Sequence, residues 1–433
     1  MSMKCIFHGA AREVGRSCIE VQTAQGNYLL DCGVKFTHDG FAYPDKLFAS
    51  SKRVDAIFLS HAHLDHSGGL PLIEHYGITC PIFCTHQTLA ITRLLLKDSY
   101  KIARIKHLHA AFDKVDLKEV RKDARRVKPD KLYRFKNVLF RFLNAGHIPG
   151  SASILLDVDG KRLLYTGDFN TRTTRLMRPA DYQSIAAEYG PIDCLITEST
   201  YGARELPKRP ALERDFLDSV RRVVKRGGTV LVPVFAVGRA QEILILLARE
   251  QWPCPIYFDG MAKEVTRKIL LHQSTHVSNK DILNEMYMKR TTLISSQQRR
   301  MLAAKTRPGI IVTTSGMLQG GPAMIYLKQL WHDPTNAVFL TGYQVPGTTG
   351  YRLLTKGSVY IDGWKTFVKC PVRKFDFSGH ADTEDIKQAI KAINPRLLII
   401  QHGEPESVDH LLAWAKQEGF DARGPAVGDA ITI

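Results

Sequence analysis

No stretch of this sequence is long and apolar enough to cross a bilayer. The strongest runs, such as Thr229 to Val237, fall well short of a span and carry Pro233. A membrane partner is therefore not expected. The opening residues, Met1-Ser2-Met3-Lys4-Cys5-Ile6-Phe7, lack the apolar core and small-residue cleavage site of a secretory signal. The expected location is the cytoplasm. Cysteine is sparse and unpaired in pattern: eight residues, at 5, 18, 32, 80, 84, 194, 254 and 370, with no CxxC. That excludes a disulfide scaffold, and buried reduced thiols are the default, although Cys80 and Cys84 are close enough in sequence to meet.

Acidic residues are also short, 43 against 60 lysines and arginines, leaving a formal charge of +17. Such an excess is unusual for a metabolic enzyme and implies an anionic macromolecular partner, nucleic acid first. It is densest from Lys101 to Arg134, including Arg121, Lys122, Arg125, Arg126, Lys128 and Lys131, on what reads as one or two amphipathic helices. A solvated face explains any single run as well as a phosphate track does; the excess over the whole chain argues more strongly. With 44% apolar and 24% charged residues, 433 residues suffice for two or three domains of ordinary core.

What is present in concentration is histidine with aspartate. Ser60-His61-Ala62-His63-Leu64-Asp65-His66-Ser67-Gly68-Gly69 follows the apolar run from Val54 to Leu59. A strand ending in a Gly-bounded loop lets His61 and His63 point one way, while Asp65 and His66, entering a helix, reach a second ion. Surface histidines in a polar loop are the bland alternative and seldom fall at this spacing. Strands are expected at Lys4 to His8, Ser17 to Gln22, Asn27 to Asp31, 54–60, 137–143, 152–157 and 161–166. Asp31, His147 and Asp168 each end or follow one of them, so ligands from distant sequence can converge on one sheet edge. Taken singly, each is a weak signal, and Asp168, in a Thr-Gly-Asp turn, reads better as a turn residue.

Together, His61-x-His63-x-Asp65-His66, His147 and Asp168 resemble the metallo-β-lactamase superfamily. Glu198 in Thr197-Glu198-Ser199-Thr200-Tyr201-Gly202, His380 in Phe377-Ser378-Gly379-His380-Ala381-Asp382, and His402 in Gln401-His402-Gly403-Glu404 resemble motifs A, B and C of its β-CASP branch of nucleases. The resemblance runs from Gly9-Ala10-Ala11-Arg12-Glu13-Val14-Gly15 to the end. It implies an α/β fold, an αββα sandwich over 1–200 and 345–433, with an α/β cap inserted at 201–344 and substrate in the cleft. The cap's sequence agrees: 211–226 and 238–251 read as amphipathic helices, and 229–235 and 255–258 as buried parallel strands.

The resemblance further implies two zinc ions, or manganese in their place. His61, His63 and His147 would hold one, Asp65, His66 and His402 the other, and Asp168 would bridge. Zinc lowers the pKa of its water to about 7, giving an attacking hydroxide at neutral pH. Asp31 is read as a partner of a ligand histidine or of Asp65 rather than as a ligand. His380 is the general acid, oriented by Glu198. Expected products are a 5′-phosphate and a 3′-hydroxyl, because the ribose 2′-OH takes no part.

Histidine at motif C sides with the RNA-processing members, so single-stranded RNA is the expected partner. The expected activity is a 5′ to 3′ exoribonuclease resembling RNase J. An endonuclease of the same chemistry and an inactive RNA-binding scaffold are the alternatives, and the intact ligand set disfavours the scaffold. Candidate phosphate contacts are Ser315 and Gly316, in a Gly-rich turn before a helix near Pro322, with Ser378 and Arg239. About 31 residues follow His402 and no KH-type domain precedes the core, so RNA contacts are expected from the cleft and the basic surface. Oligomeric state is left open, a homodimer included.

Overall fold

A computed structural model describes residues 3–433 apart from 38–39, 51–52, 106–110 and 273. The chain divides into two compact units, Met1–Thr173 with Met177–Glu205 and His380–Ile433, and Thr174–Leu176 with Leu206–Gly379.

The first unit is built on two seven-stranded sheets. Successive side chains of a strand point to opposite faces, and its sequences use that period. In the second sheet Ile154, Leu156, Leu163, Tyr165, Cys194, Ile196 and Ile399 join one core cluster, while Leu155, Leu164, Leu195, Leu398 and Ile400 join another. The first cluster also takes Phe7, Ile19, Val21, Tyr28 and Phe58 from the first sheet, so it is the layer between two sheets packed face to face. Each large side chain buried there contributes roughly 1.5–3 kcal/mol relative to exposure. Helices cover the outer faces. Tyr182–Tyr189, Thr383–Ile393 and Pro405–Gln417 pack on the second sheet. Leu70–His75, His86–Ile105 and Lys114–Asp123 pack on the first. The layer order is αββα, and the chain is a mixed α/β protein.

The segment 101–134 departs from the all-helical expectation. Helix His86–Ile105 and helix Lys114–Asp123 are followed by strands Ala124–Val127 and Tyr133–Phe135, and 106–110 lie outside the described residues. Arg125 and Arg126 sit on an edge strand of the first sheet, where exposed charge hinders pairing with another chain.

The second unit holds a six-stranded sheet in which every pairing is parallel. Its central strands Thr229–Pro233 and Gly309–Thr313 are buried at every residue, the continuous apolar reading that helices on both faces require. Expected helices 211–226 and 238–251 are Arg209–Lys225 and Arg239–Leu247. The division of the chain differs from the one read in the sequence. Residues 345–379 belong with the insert, because Leu353, Val359 and Cys370 are buried in its core and Val372–Lys374 pairs with Ala337–Leu340 in its sheet. No helix among the described residues is long and apolar enough to cross a membrane.

Candidate metal centre

Strand ends build the site. Strand Gly26–Leu30 ends before Asp31, Ala56–Phe58 before His61, Val138–Asn144 before His147 and Lys161–Tyr165 before Asp168. Cys194–Thr197 ends just before Glu198 and Leu397–Ile400 before His402. His63 stands at the N-terminus of the short helix Leu64–Ser67, which carries Asp65 and His66. Close backbone approach is needed at Gly33, where an added Cβ would lie 1.7 Å from the carbonyl oxygen of Asp65. At Gly167, φ of +57° turns the chain into Asp168.

Three groups of potential ligand atoms result among the described residues, each within 4.8 Å internally: His61, His63, His147 and Asp168; Asp65, His66, Asp168 and His402; and Asp168, Glu198 and His380. Asp168 belongs to all three. Its carboxylate is 3.5 Å from His61 Nε2 and 3.3 Å from His66 Nε2. His402 Nε2 lies 3.6 Å from Asp65 Oδ2.

Asp31 lies outside these ligand groups. It is fully buried and accepts four hydrogen bonds, from Ser60 N–H and Ser60 Oγ at 2.7 Å, His66 Nδ1 at 2.7 Å and Tyr165 Oη at 2.8 Å. A carboxylate only accepts, so His66 carries its proton on Nδ1 and turns Nε2 towards His402 and Asp168. Thr200 Oγ1 lies 3.3 Å from His402 Nδ1, and Ser60 Oγ lies 3.0 Å from His61 Nδ1. Ser60, Tyr165 and Thr200 were not singled out from the sequence. Ser60 borders the histidine motif, but Tyr165 reads as core within an apolar strand.

The donor set fits divalent metal ions. His66 Nε2 faces His402 Nε2 at 3.2 Å and His147 Nε2 faces His63 Nδ1 at 3.1 Å, while buried His61 Nε2 and Asp168 Oδ1 have no hydrogen-bond partner among the described residues. Orphaned buried atoms are costly unless a cation takes their lone pairs, and converging imidazole nitrogens offer such a cation several more. Burial, then His66, pushes His61 well below the usual imidazole range, and burial lowers His63. Both are therefore neutral at neutral pH, the form a metal ligand requires. Burial alone would raise Asp168, but the surrounding histidines, His402 first, hold it well below the carboxylate range. Asp65 is likewise held low by His402 and His66 against its burial.

His380 Nδ1 lies 3.0 and 3.1 Å from the two carboxylate oxygens of fully buried Glu198, whose Oε1 also accepts Phe169 N–H at 2.7 Å. Burial opposes the charge on His380, but Glu198 and then Asp168 outweigh it, and its pKa is raised to about 9.

The sequence belongs with this geometry. Residues 11–232 match the metallo-β-lactamase superfamily, 240–353 the β-CASP domain, and 367–425 the Zn-dependent metallo-hydrolase RNA specificity domain. The chain is a β-CASP member of the metallo-β-lactamase superfamily. This β-CASP protein is 43% identical to "Probable RNase MJ4" of Methanocaldococcus jannaschii over the whole of both chains. It is 38% identical to an "RNase J-like protein" of the same organism, over 92% of each. A solved structure of a protein of unknown function from Enterococcus faecalis shares the fold, with a TM-score of 0.64 at 15% identity over all of both chains. The catalytic fold is that of a metal-dependent ribonuclease.

The four phosphate candidates of this β-CASP protein belong to the second unit. Ser315 Oγ accepts Gln319 N–H at 3.0 Å within its own turn, and Gly316 packs so closely on Phe235 that a Cβ would lie 2.9 Å from its nitrogen. Arg239 is buried; its Nη1 donates to Glu242 at 2.9 Å and its guanidinium lies 5.8 Å from the Phe377 ring centre. Ser378 is half-buried.

Proposed function

We propose that this chain hydrolyses single-stranded RNA with a pair of divalent ions, zinc with manganese as a substitute, and that it works from the 5′ end. His61, His63 and His147 would hold one ion, Asp65, His66 and His402 the other, and Asp168 would be shared. Divalent ions bound there lower the pKa of water to about 7 and stabilise negative charge on a phosphoryl group. Asp31 fixes the tautomer and direction of His66. Glu198 holds His380 Nδ1–H, leaving a proton on Nε2 to pass to the departing 3′-oxygen. The products are then a 5′-phosphate and a 3′-hydroxyl. Ser315, Gly316, Ser378 and Arg239 are proposed as further contacts to the RNA backbone.

The observation that carries the reading is the imidazole of His380, seated on a buried carboxylate 3.9 Å from the shared Asp168. A phosphodiester's leaving oxygen is a strong base and needs a proton donor at that place. End-directed action rests on the resemblance to RNase J. The test is a time course on 5′-monophosphorylated, 5′-labelled single-stranded RNA, resolved to single nucleotides. Immediate labelled mononucleotide is expected. Early labelled oligomers would make the enzyme an endonuclease, and no cleavage with added zinc or manganese would leave a non-catalytic RNA-binding scaffold.

A further inference from the structure

An isolated two-stranded hairpin, Ser358–Ile361 with Trp364–Phe367, falls between the matched family segments, one ending at 353 and the next beginning at 367. Side chains alternate across such a ribbon. Val359 and Ile361 face the core of the second unit. Tyr360, its cross-strand partner Lys365, and Phe367 therefore share the outward face. Tyr360 is 55% exposed and Phe367 62%, while Trp364, paired with Ile361 on the other side of the ribbon beside the turn, is 79% exposed. Large rings left this open are not explained by packing, since only Ser358 and Val359 are fully buried there.

Cations are interleaved with the rings. The Arg352 guanidinium lies 4.3 Å from the Tyr360 ring centre and Lys365 Nζ 5.1 Å from that of Phe367. From Gly342 to Lys374 the sequence holds six basic residues, Arg352, Lys356, Lys365, Lys369, Arg373 and Lys374, and one acid, Asp362. Lys328 neutralises that acid. Lys356, Lys365 and Lys369 are exposed. Exposed rings alternating with cations match a strand of unpaired nucleotides, whose bases stack while its phosphates meet the charges.

We propose that the hairpin Ser358–Phe367 is a docking platform for single-stranded RNA, stacking bases on Tyr360 and Phe367 of its outward face and on Trp364 at its tip, and holding phosphates with Lys356, Lys365 and Lys369. It extends the reading of this chain as an RNA hydrolase by assigning a binding surface beyond the metal centre. Binding is measured without turnover, by fluorescence anisotropy of a labelled single-stranded RNA in chelator. The combined Tyr360→Ala, Trp364→Ala and Phe367→Ala variant is expected to raise Kd at least tenfold. The combined Lys356→Ala, Lys365→Ala and Lys369→Ala variant is expected to flatten the salt dependence of binding by about one unit of slope for each phosphate no longer held. Duplex RNA of the same sequence is expected to lose little affinity with either variant. Photocrosslinking of the unaltered protein to single-stranded RNA, mapped by mass spectrometry, is expected to label Trp364 or its neighbours.

Unchanged Kd for single-stranded RNA in folded variants, or crosslinks that miss the hairpin, would overturn the proposal. A shift from dimer to monomer with unchanged Kd would overturn it and give the face to a second copy. Cleavage by the unaltered protein is scored separately, so a failed hydrolase reading and a failed platform give different results.

Discussion

Replacing His380 by alanine separates a proton donor from a residue that merely shapes the site. Its imidazole is held by Glu198 at 3.0 Å and stands 3.9 Å from Asp168. General acid catalysis contributes about 10²–10⁴ in rate, or about 2.7–5.4 kcal/mol of barrier. That loss is expected in single-turnover cleavage of RNA, whose departing 3′-oxygen is strongly basic. A nucleoside 5′-phosphate p-nitrophenyl ester releases a weakly basic phenolate that needs no proton. On that ester His380→Ala is expected to cost less than tenfold. Glu198→Gln keeps the size of the side chain but removes the charge that supports the imidazolium, and is expected to show the same substrate dependence to a smaller degree. Equal losses on both substrates, accompanied by loss of metal, would refute the assignment and make His380 a support for Asp168.

Asp31→Asn removes the carboxylate that orients His66 and is expected to weaken metal binding by about 10–100-fold, read by titration with zinc against a competing chelator. Gly33→Ala forces backbone movement at Asp65 and is expected to lower both metal affinity and melting temperature. Chelation is expected to lower the melting temperature, and metal at 100 times its Kd to restore about 2.7 kcal/mol of stability. Glu74 supplies a pH test remote from the centre: burial, then Asp123, raises its pKa from 4.5 to about 8. A carboxyl raised in the folded state favours the fold when protonated, so its contribution is intact below pH 4.5 and is lost as pH rises through 8. Glu74→Gln is expected to raise the melting temperature at pH 9 and leave it unchanged at pH 4.5; equal shifts at both would contradict the assignment.

The ligand groups were legible because they are local or sit at strand ends. His61 to His66 announce themselves by spacing, and period-two apolar runs locate the strands whose ends carry Asp31, His147 and Asp168. Membership of the β-CASP branch was legible from motifs A to C. The hydrogen bond of Tyr165 to Asp31 was not, because it joins positions 134 residues apart and the tyrosine lies in an apolar strand. Arg239 at a helix start reads as an anion contact, and its hydrogen bond to Glu242 one turn on could not be read from the sequence. The turn into strand Ala124–Val127 was hidden by a run of basic residues that suits a helix face and a strand edge equally. The end of the insert was hidden for a similar reason: Val359 and Cys370 are ordinary apolar residues, and only packing shows which core they enter.

The most direct measurement is the chemistry of the ends made on single-stranded RNA, read by mass spectrometry with and without chelator. Metal-dependent hydrolysis at the Asp168 centre predicts 5′-phosphate and 3′-hydroxyl products that vanish with the metal and still form when the scissile ribose lacks its 2′-hydroxyl. A 2′,3′-cyclic phosphate, or cleavage that persists in chelator, would contradict it.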